Sequence, residues 1–354
     1  MTRLHASWQA IVEGSIGLGV LAVLALGPIV FSHYWLNSVL TYTFWIGIAA
    51  AGLTFLSAYG GMVSLAQVPI YGIAGFVLGN VVTNGGTSGE NLGWNPWLGV
   101  MVALAIATAV GLLFGALASR STGIYFLMIT LTYAVVTNLF FNQVDTLSGF
   151  NGITSVQQHM PGVLGNPTLN QNDFYDRLYY IAFGIALLTY VSIKYLVRTP
   201  FGLALQGIRD DPVRMASLGY HVPLHKTLAF GIAGFFAAVA GVLQVWWVGE
   251  IAPSSIDLNA VLGLLIIAVI GGLHRLEGAW IGAFAYVLIN NYTHTLTVPL
   301  IGGSFNTVIG LIFLAIVLLS PDGLLGVWDW GIAHLRRRGS DQPAAAPEPG
   351  GGTA

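Results

Sequence analysis

Two groups of residues in this sequence could do chemistry, and neither has the make-up of a catalyst. The first is spread through apolar sequence: Ser64, Gln67 and Tyr71 within GGMVSLAQVPIYG, then Tyr125, Thr130, Thr132 and Asn138. Hydroxyl, amide and phenol groups donate and accept hydrogen bonds without ionising near neutral pH. In apolar surroundings they suit weak, adaptable contact with a small neutral or zwitterionic solute. The second group lies in RTPFGLALQGIRDDPVRMASLGYHVPLHK, residues 198–226, where Arg209, Asp210, Asp211 and Arg214 are near neighbours. Asp211 can cap a helix whose first position is Pro212, which runs through Ala216 and stops at Gly219. Just before it, Phe201, Leu205 and Ile208 at i, i+4 and i+7 form an apolar stripe. A short helix with an apolar face and both charge signs suits docking to another macromolecule. The same residues also read as a charged loop, and spacing alone leaves both readings open.

Several chemistries are excluded. There is no cysteine, hence no disulfide, thiolate metal site or cysteine nucleophile. A phosphate-cradling loop needs GxxxxGK[ST], yet the only Lys followed by Thr is Lys226, and His225 precedes it. No His, Asp or Glu cluster has metal-ligand spacing, and no Ser/His/Asp grouping points to hydrolysis. The formal net charge of -2 makes no case for a nucleic-acid partner. The chain reads as neither an enzyme nor a nucleotide binder, with no metal or cofactor of its own.

The elements that must position these residues are membrane spans. Hydrophobic residues make up 55% of the 354 and charged residues 7%, against roughly 25% charged in soluble domains. No Asp, Glu, Lys or Arg occurs between Glu13 and Glu90, or between Glu277 and Asp322. Apolar segments fall near 14–32, 37–58, 62–82, 98–118, 123–143, 178–197, 227–248, 259–273, 278–297 and 303–320. The expected fold is therefore an all-α polytopic membrane protein of about ten transmembrane helices.

Placing both termini in the cytoplasm puts Arg3, Arg120, Lys194, Arg198, Arg209, Arg214, Lys226, Arg275 and Arg336 to Arg338 inside. Only Arg177 is then outside. One missed helix would spoil that asymmetry. No ionisable side chain sits clearly at mid-membrane, since Glu250, Asp257 and His294 fall near outer ends; this weighs against proton coupling.

Finer features refine the picture. Gly75 and Gly79, Gly111 and Gly115, and Gly278 and Gly282 are GxxxG pairs that predict close helix packing. Pro69 removes a backbone donor inside the third segment, opposite the Leu65 carbonyl. Either the helix is broken there beside Ser64 and Gln67, or neighbours patch a kink. The domain reading is a cytoplasmic stretch 1–13, a transmembrane body 14–320 and a cytoplasmic tail 321–354, disordered from about 336. The body carries an outer loop at 144–177 and the inner loop at 198–226.

Four stretches resemble one family. AYGGMVSLAQVPIYGIAG, STGIYFLMITLTYA with LSGFNGIT, the 198–226 loop, and VIGGLHRLEGAWIGA with LLSPDGLLG are similar to the permeases of ATP-driven importers for branched-chain amino acids, the LivM-like type, with urea and amide relatives. The resemblance implies a permease in the bacterial inner membrane, working with cytoplasmic ATPases that carry ATP and Mg, a second permease of different sequence, and an extracytoplasmic solute-binding protein. It casts Asp211 to Gly219 as the coupling helix, with Arg209, Asp210 and Arg214 flanking or facing the ATPase. It differs from the usual family pattern at Phe150, at Leu203 and in the outer loop, departures that bear on the solute. A carrier or channel acting without ATP is the alternative class.

Overall fold

The structure is a computed structural model that describes residues 23–84, 90–144, 146–147, 152–154, 156–164, 171–293 and positions 310, 311, 314, 323, 324 and 326. The start of the expected first span, and most of the last span and of the tail, lie outside these residues. What is described is helical, apart from an isolated pairing of Ile153 with Ile251.

After one helical turn at Gly27–Val30 the main elements are α1 (Trp35–Gly60, π-helical over Trp35–Thr41), α2 (Gln67–Val82), α3 (Pro96–Ala118), α4 (Ile124–Gln143) and α5 (Gln171–Arg198). They continue with α6 (Pro200–Asp210), α7 (Pro212–Ser217), α8 (Val222–Val248), α9 (Leu258–Gly271) and α10 (Leu276–Thr293). Helices α1, α3, α4, α5 and α8 are each long and apolar enough to cross a membrane, and α9 with α10, bent by 118°, adds a sixth if counted as one span. Helix α2, at 16 residues, is shorter than a full crossing. Each apolar segment predicted between 37 and 297 corresponds to a helix. The 259–273 and 278–297 pair joins at a sharp bend.

Helix α8 is the hub. It packs against α1, α2 and α3, and small residues set the distance. Gly234 and Gly111 face each other so closely that a Cβ on either would lie 3.4 Å from the other's Cα. A Cβ on Gly115 would fall 2.7 Å from Phe230 Cβ, and one on Gly241 would overlap the Tyr71 carbonyl. Lipid tails supply no hydrophobic drive for helix association, so close backbone approach and dispersion must supply it. The GxxxG pairs serve this packing: Gly75 meets Val245 and Ile251, and Gly79 meets Ile153. Gly278 and Gly282 sit on the backbone of α9 at Gly271 and Ile267.

The helices alternate between two ends. One end gathers the α1–α2 connection, the Ser121–Gly123 turn, α6, α7 and the start of α8. Lys194 near the end of α5 pairs with Glu277 at the start of α10 (2.6 Å), which places the α9–α10 bend at the same end. The described cations Arg120, Lys194, Arg198, Arg209, Arg214, Lys226 and Arg275 fall at this end, and Arg177 at the other, where it donates to the Val163 carbonyl.

Gly282→Leu forces a side chain into the α9 backbone. It is expected to destabilise the full chain in detergent by about 1–3 kcal/mol or more, read as a lowered melting temperature. Gly184, with nothing within 4 Å of its would-be Cβ, provides the contrast: Gly184→Ala should stay within about 0.5 kcal/mol or gain slightly.

Candidate functional site

At the cation-rich end the 198–226 stretch folds as two helices. Thr199 caps α6 by accepting from the Gly202 N–H (3.4 Å), with Pro200 in its first turn. Asp211 caps α7, its Oδ1 accepting from the N–H groups of Val213 (3.0 Å) and Arg214 (2.9 Å). Gly219 ends the turn at φ +89°, a conformation that disfavours side chains, and the Tyr220 N–H bonds back to the Met215 carbonyl. The predicted Asp-capped, Pro-started, Gly-terminated helix is thus present, and none of its residues is buried.

The apolar stripe does not form an outward face. Leu205 and Ile208 are fully buried and Phe201 partly so; they hold α6 against the bundle, with Leu205 against Gly60. Periodicity marked the stripe correctly but could not say what covers it. The exposed apolar groups of the arm include Leu203 (60%) on α6, and Val213 (74%) and Leu218 (67%) on and just after α7. Arg209 ties the arm down: its Nη1 donates to the Ala58 carbonyl, while Nε and Nη2 reach Asp210 Oδ1 at 2.9 and 2.8 Å. Arg214 and Asp211 stand 3.8 Å apart on the surface, a pair worth little energetically. Ala216 is exposed.

The helix break expected near Pro69 exists but lies upstream of it. Helix α1 ends at Gly61 (φ +64°), whose N–H bonds the Ser57 carbonyl (3.2 Å) while Met62 N–H bonds Leu56 (3.0 Å), a left-handed glycine stop. Residues 61–66 are irregular, and α2 begins at Gln67, so Pro69 stands in its first turn, where no donor is needed. From Ser64 on, the irregular backbone is buried in protein, as membrane-depth loops must be: Ser64, Ala66 and Gln67 are 0% exposed, while Gly61 is exposed and Val63 half-buried. Ser64 Oγ accepts from the Ala66 N–H (3.2 Å), and Thr130 Oγ1, reaching in from α4, accepts from the Leu65 N–H (3.2 Å). Gln67 has neither amide atom hydrogen-bonded and abuts Gly52.

Tyr71, one helical turn beyond Gln67, and Asn138 belong to a second group, on the 3-10 turn between α8 and α9. The Tyr71 hydroxyl donates to the Ser255 carbonyl, and Asn138 Nδ2 donates to the Pro253 carbonyl (2.8 Å). Both therefore converge on the Pro253–Ile256 turn. Tyr125 joins neither group; it is 75% exposed in the first turn of α4. Thr132 is exposed too and bonds the Met128 carbonyl.

Sequence reading passed over Thr54, whose buried hydroxyl has no partner, and Gln244, whose Oε1 has none. It also missed Trp247, whose Nε1 donates to Asn37 Oδ1 (2.8 Å) within a cluster of Tyr42, Trp45 and Tyr71. A polar residue inside a long apolar run was the available signal. The two larger cavities, 450 and 480 Å³, are lined by other, mainly apolar side chains such as Leu104, Phe235, Phe76 and Phe140.

Comparison with known proteins agrees with this architecture. Residues 35–319 match the family model described as branched-chain amino acid transport system / permease component. The chain is 26% identical over 246 residues to the high-affinity branched-chain amino acid transport system permease protein LivM of Escherichia coli, covering 64% of this chain and 56% of the relative. It is 27% identical over 250 residues to the probable branched-chain amino acid transport permease protein LivH of Methanocaldococcus jannaschii, covering 66% and 76%. An autoinducer 2 import system permease protein, LsrC of Klebsiella pneumoniae, is 30% identical over 135 residues, covering 37% and 38%. The chain thus spans little more than half the length of the LivM relative. No solved structure matches. With the family model covering most of its length, this multi-pass membrane protein belongs to the branched-chain amino acid transport system permease family.

Proposed function

We propose that this chain is the membrane permease subunit of an ATP-driven importer of small polar solutes, with branched-chain amino acids as the first candidates. The observation that carries the proposal is the α6–α7 arm: a capped helix with no buried residue, standing at the cation-rich end and fastened to the bundle by Arg209 and the buried stripe. A separate ATPase that closes on ATP has here a stiff element to push. In this reading the arm faces the cytosol, the chain has ten spans in the bacterial inner membrane with both termini cytosolic, and Arg209, Asp210, Asp211, Pro212, Arg214, Ala216 and Gly219 form the coupling surface.

A second permease and an extracytoplasmic binding protein complete the assembly, and the family match and the names of the relatives support that composition. ATP and Mg bind on the ATPase. The solute passes beside polar, uncharged groups: Ser64, Gln67 and Thr130 near the break, then Tyr71 and Asn138 at the Pro253–Ile256 turn. Such walls contribute little binding energy, leaving selectivity to the binding protein. Tyr125, on the outer surface of α4, enters the pathway only where a second permease covers that face.

Three outcomes test this. In the assembled complex, Asp211→Lys removes the α7 cap, costing about 1 kcal/mol locally, and inverts a charge on the coupling surface. ATP-dependent uptake should fall at least about tenfold with the full complex still assembled, and unchanged uptake removes the arm from coupling. Gln67→Leu should alter uptake while leaving ATPase copurification intact; if transport kinetics for every solute match the native complex, Gln67 is only structural. Collapsing ion gradients at constant ATP separates a gradient-driven carrier, which stops, from the importer proposed here, which continues.

A further inference from the structure

A 190 Å³ cavity opens at the cation-rich end between the residue 60–63 break, the Ser121–Gly123 turn, Arg209 and Lys226. Lys226 is 8% exposed, the only charged residue among the described ones that is buried, and no carboxylate lies within 4 Å of its amine among the described residues. The stem of Lys226 is taken out of water and its amine has no carboxylate partner, a situation that proteins normally relieve with an anion or hydrogen-bond acceptors. The opposite wall is the first turn of α4, a 20-residue helix whose N-cap, Gly123, makes no side-chain cap. The first N–H groups of a helix lack intrahelical partners and carry partial positive charge. Arg209 lines the same cavity, its guanidinium paired with Asp210 and bonded to the Ala58 carbonyl. The hydroxyl-bearing Ser121 and Thr122 stand at the rim, and no Asp or Glu lines the cavity.

The Lys226 side chain, the helix N-terminus and Arg209 reach the cavity from different elements. That arrangement matches an anion with several acceptor oxygens in three dimensions better than a planar carboxylate. We propose that this cavity is a phosphate-binding site, filled either by the headgroup of an anionic phospholipid or by inorganic phosphate. The bound group neutralises Lys226 and joins the α1–α2 break to the starts of α4 and α8 and to the arm. The site is independent of which solute the protein carries.

The test measures acetylation of Lys226 by a water-soluble reagent, read by peptide mass spectrometry on the purified full chain. One arm adds inorganic phosphate in detergent, with chloride at equal ionic strength as control. The other uses vesicles of equimolar phosphatidylglycerol and phosphatidylcholine, with phosphatidylcholine alone as control. Phosphate, phosphatidylglycerol or both should slow modification by about tenfold, the effect of a lost or gained charge-assisted contact; protection by phosphatidylglycerol alone assigns the headgroup, and protection by phosphate assigns the free anion. Thr122→Asp, an exposed change that places a carboxylate at the rim, should abolish the protection at an unchanged melting temperature. Lys226→Arg should retain phosphatidylglycerol in native mass spectra where Lys226→Gln loses it. Equal reactivity with and without both phosphate sources, undiminished protection in Thr122→Asp, or protection that requires a bound ATPase and no phosphate would each overturn the proposal.

Discussion

Close backbone contact around α8 is the constraint on which the remaining structure depends. In hydrocarbon the usual reward for burying apolar side chains is absent, because lipid is as apolar as leucine. Helices associate where their surfaces let many atoms meet at van der Waals distance, and glycine at the crossing points of α8 with α1, α2 and α3 allows this. Gly241 admits the backbone of α2 at Tyr71, Gly234 meets Gly111 of α3, and Gly52 of α1 lies against the Ala233 carbonyl. Once these approaches are fixed, α2 has no freedom to slide, and its short length obliges the six residues before it to complete the crossing as irregular chain.

That break concentrates the polar demands of the fold. Past its exposed start at Gly61 the N–H groups of Leu65 and Ala66 are shut away from water, so partners come from Ser64 and from Thr130 on a different helix. Gln67, next in sequence, remains without a hydrogen bond although it is entirely buried. A buried amide without a partner is costly. The contacts of Tyr71 and Asn138 differ in kind: both are saturated by one 3-10 turn and fix it in place.

Local chemistry made some of this legible in the sequence. The limits of α7 follow from an aspartate, a proline and a glycine at the right offsets, because caps act within a few residues and need no tertiary context. Apolar runs located the helices between 37 and 297 for a similar reason, and the GxxxG pairs announced close packing. Tertiary context decided the rest. Pro69 signalled a break, but the stop belongs to Gly61, whose left-handed conformation depends on where α1 ends. The Phe201, Leu205 and Ile208 stripe gave the face of α6 but not its covering. Tyr125 and Thr130 lie five residues apart, so a helix turns them to opposite sides, one outward and one onto the break. Nothing in the run of residues announces that Lys226 is buried, since a lysine at a span end ordinarily reaches water.

The route from the arm into the bundle is short enough to constrain how motion travels. Helix α7 folds back so that Met215 rests on Gly207 of α6, and α6 in turn rests on the end of α1 through Leu205 and through the Arg209 bond to the Ala58 carbonyl. Asp211 on one side of α7 is extended and Gly219 on the other is left-handed, so the joints lie at the edges of α7 and its interior turn is stiff. A load on α7 therefore reaches the bundle where α1 stops and the break begins, one irregular segment away from Gln67. The α8 hub, locked by backbone contacts, resists displacement, whereas the break has no helical ladder to lose. Any change of access driven from the arm thus has its least costly deformation at residues 61–66, beside the buried Gln67 amide, whose two polar atoms have no hydrogen bond among the described residues.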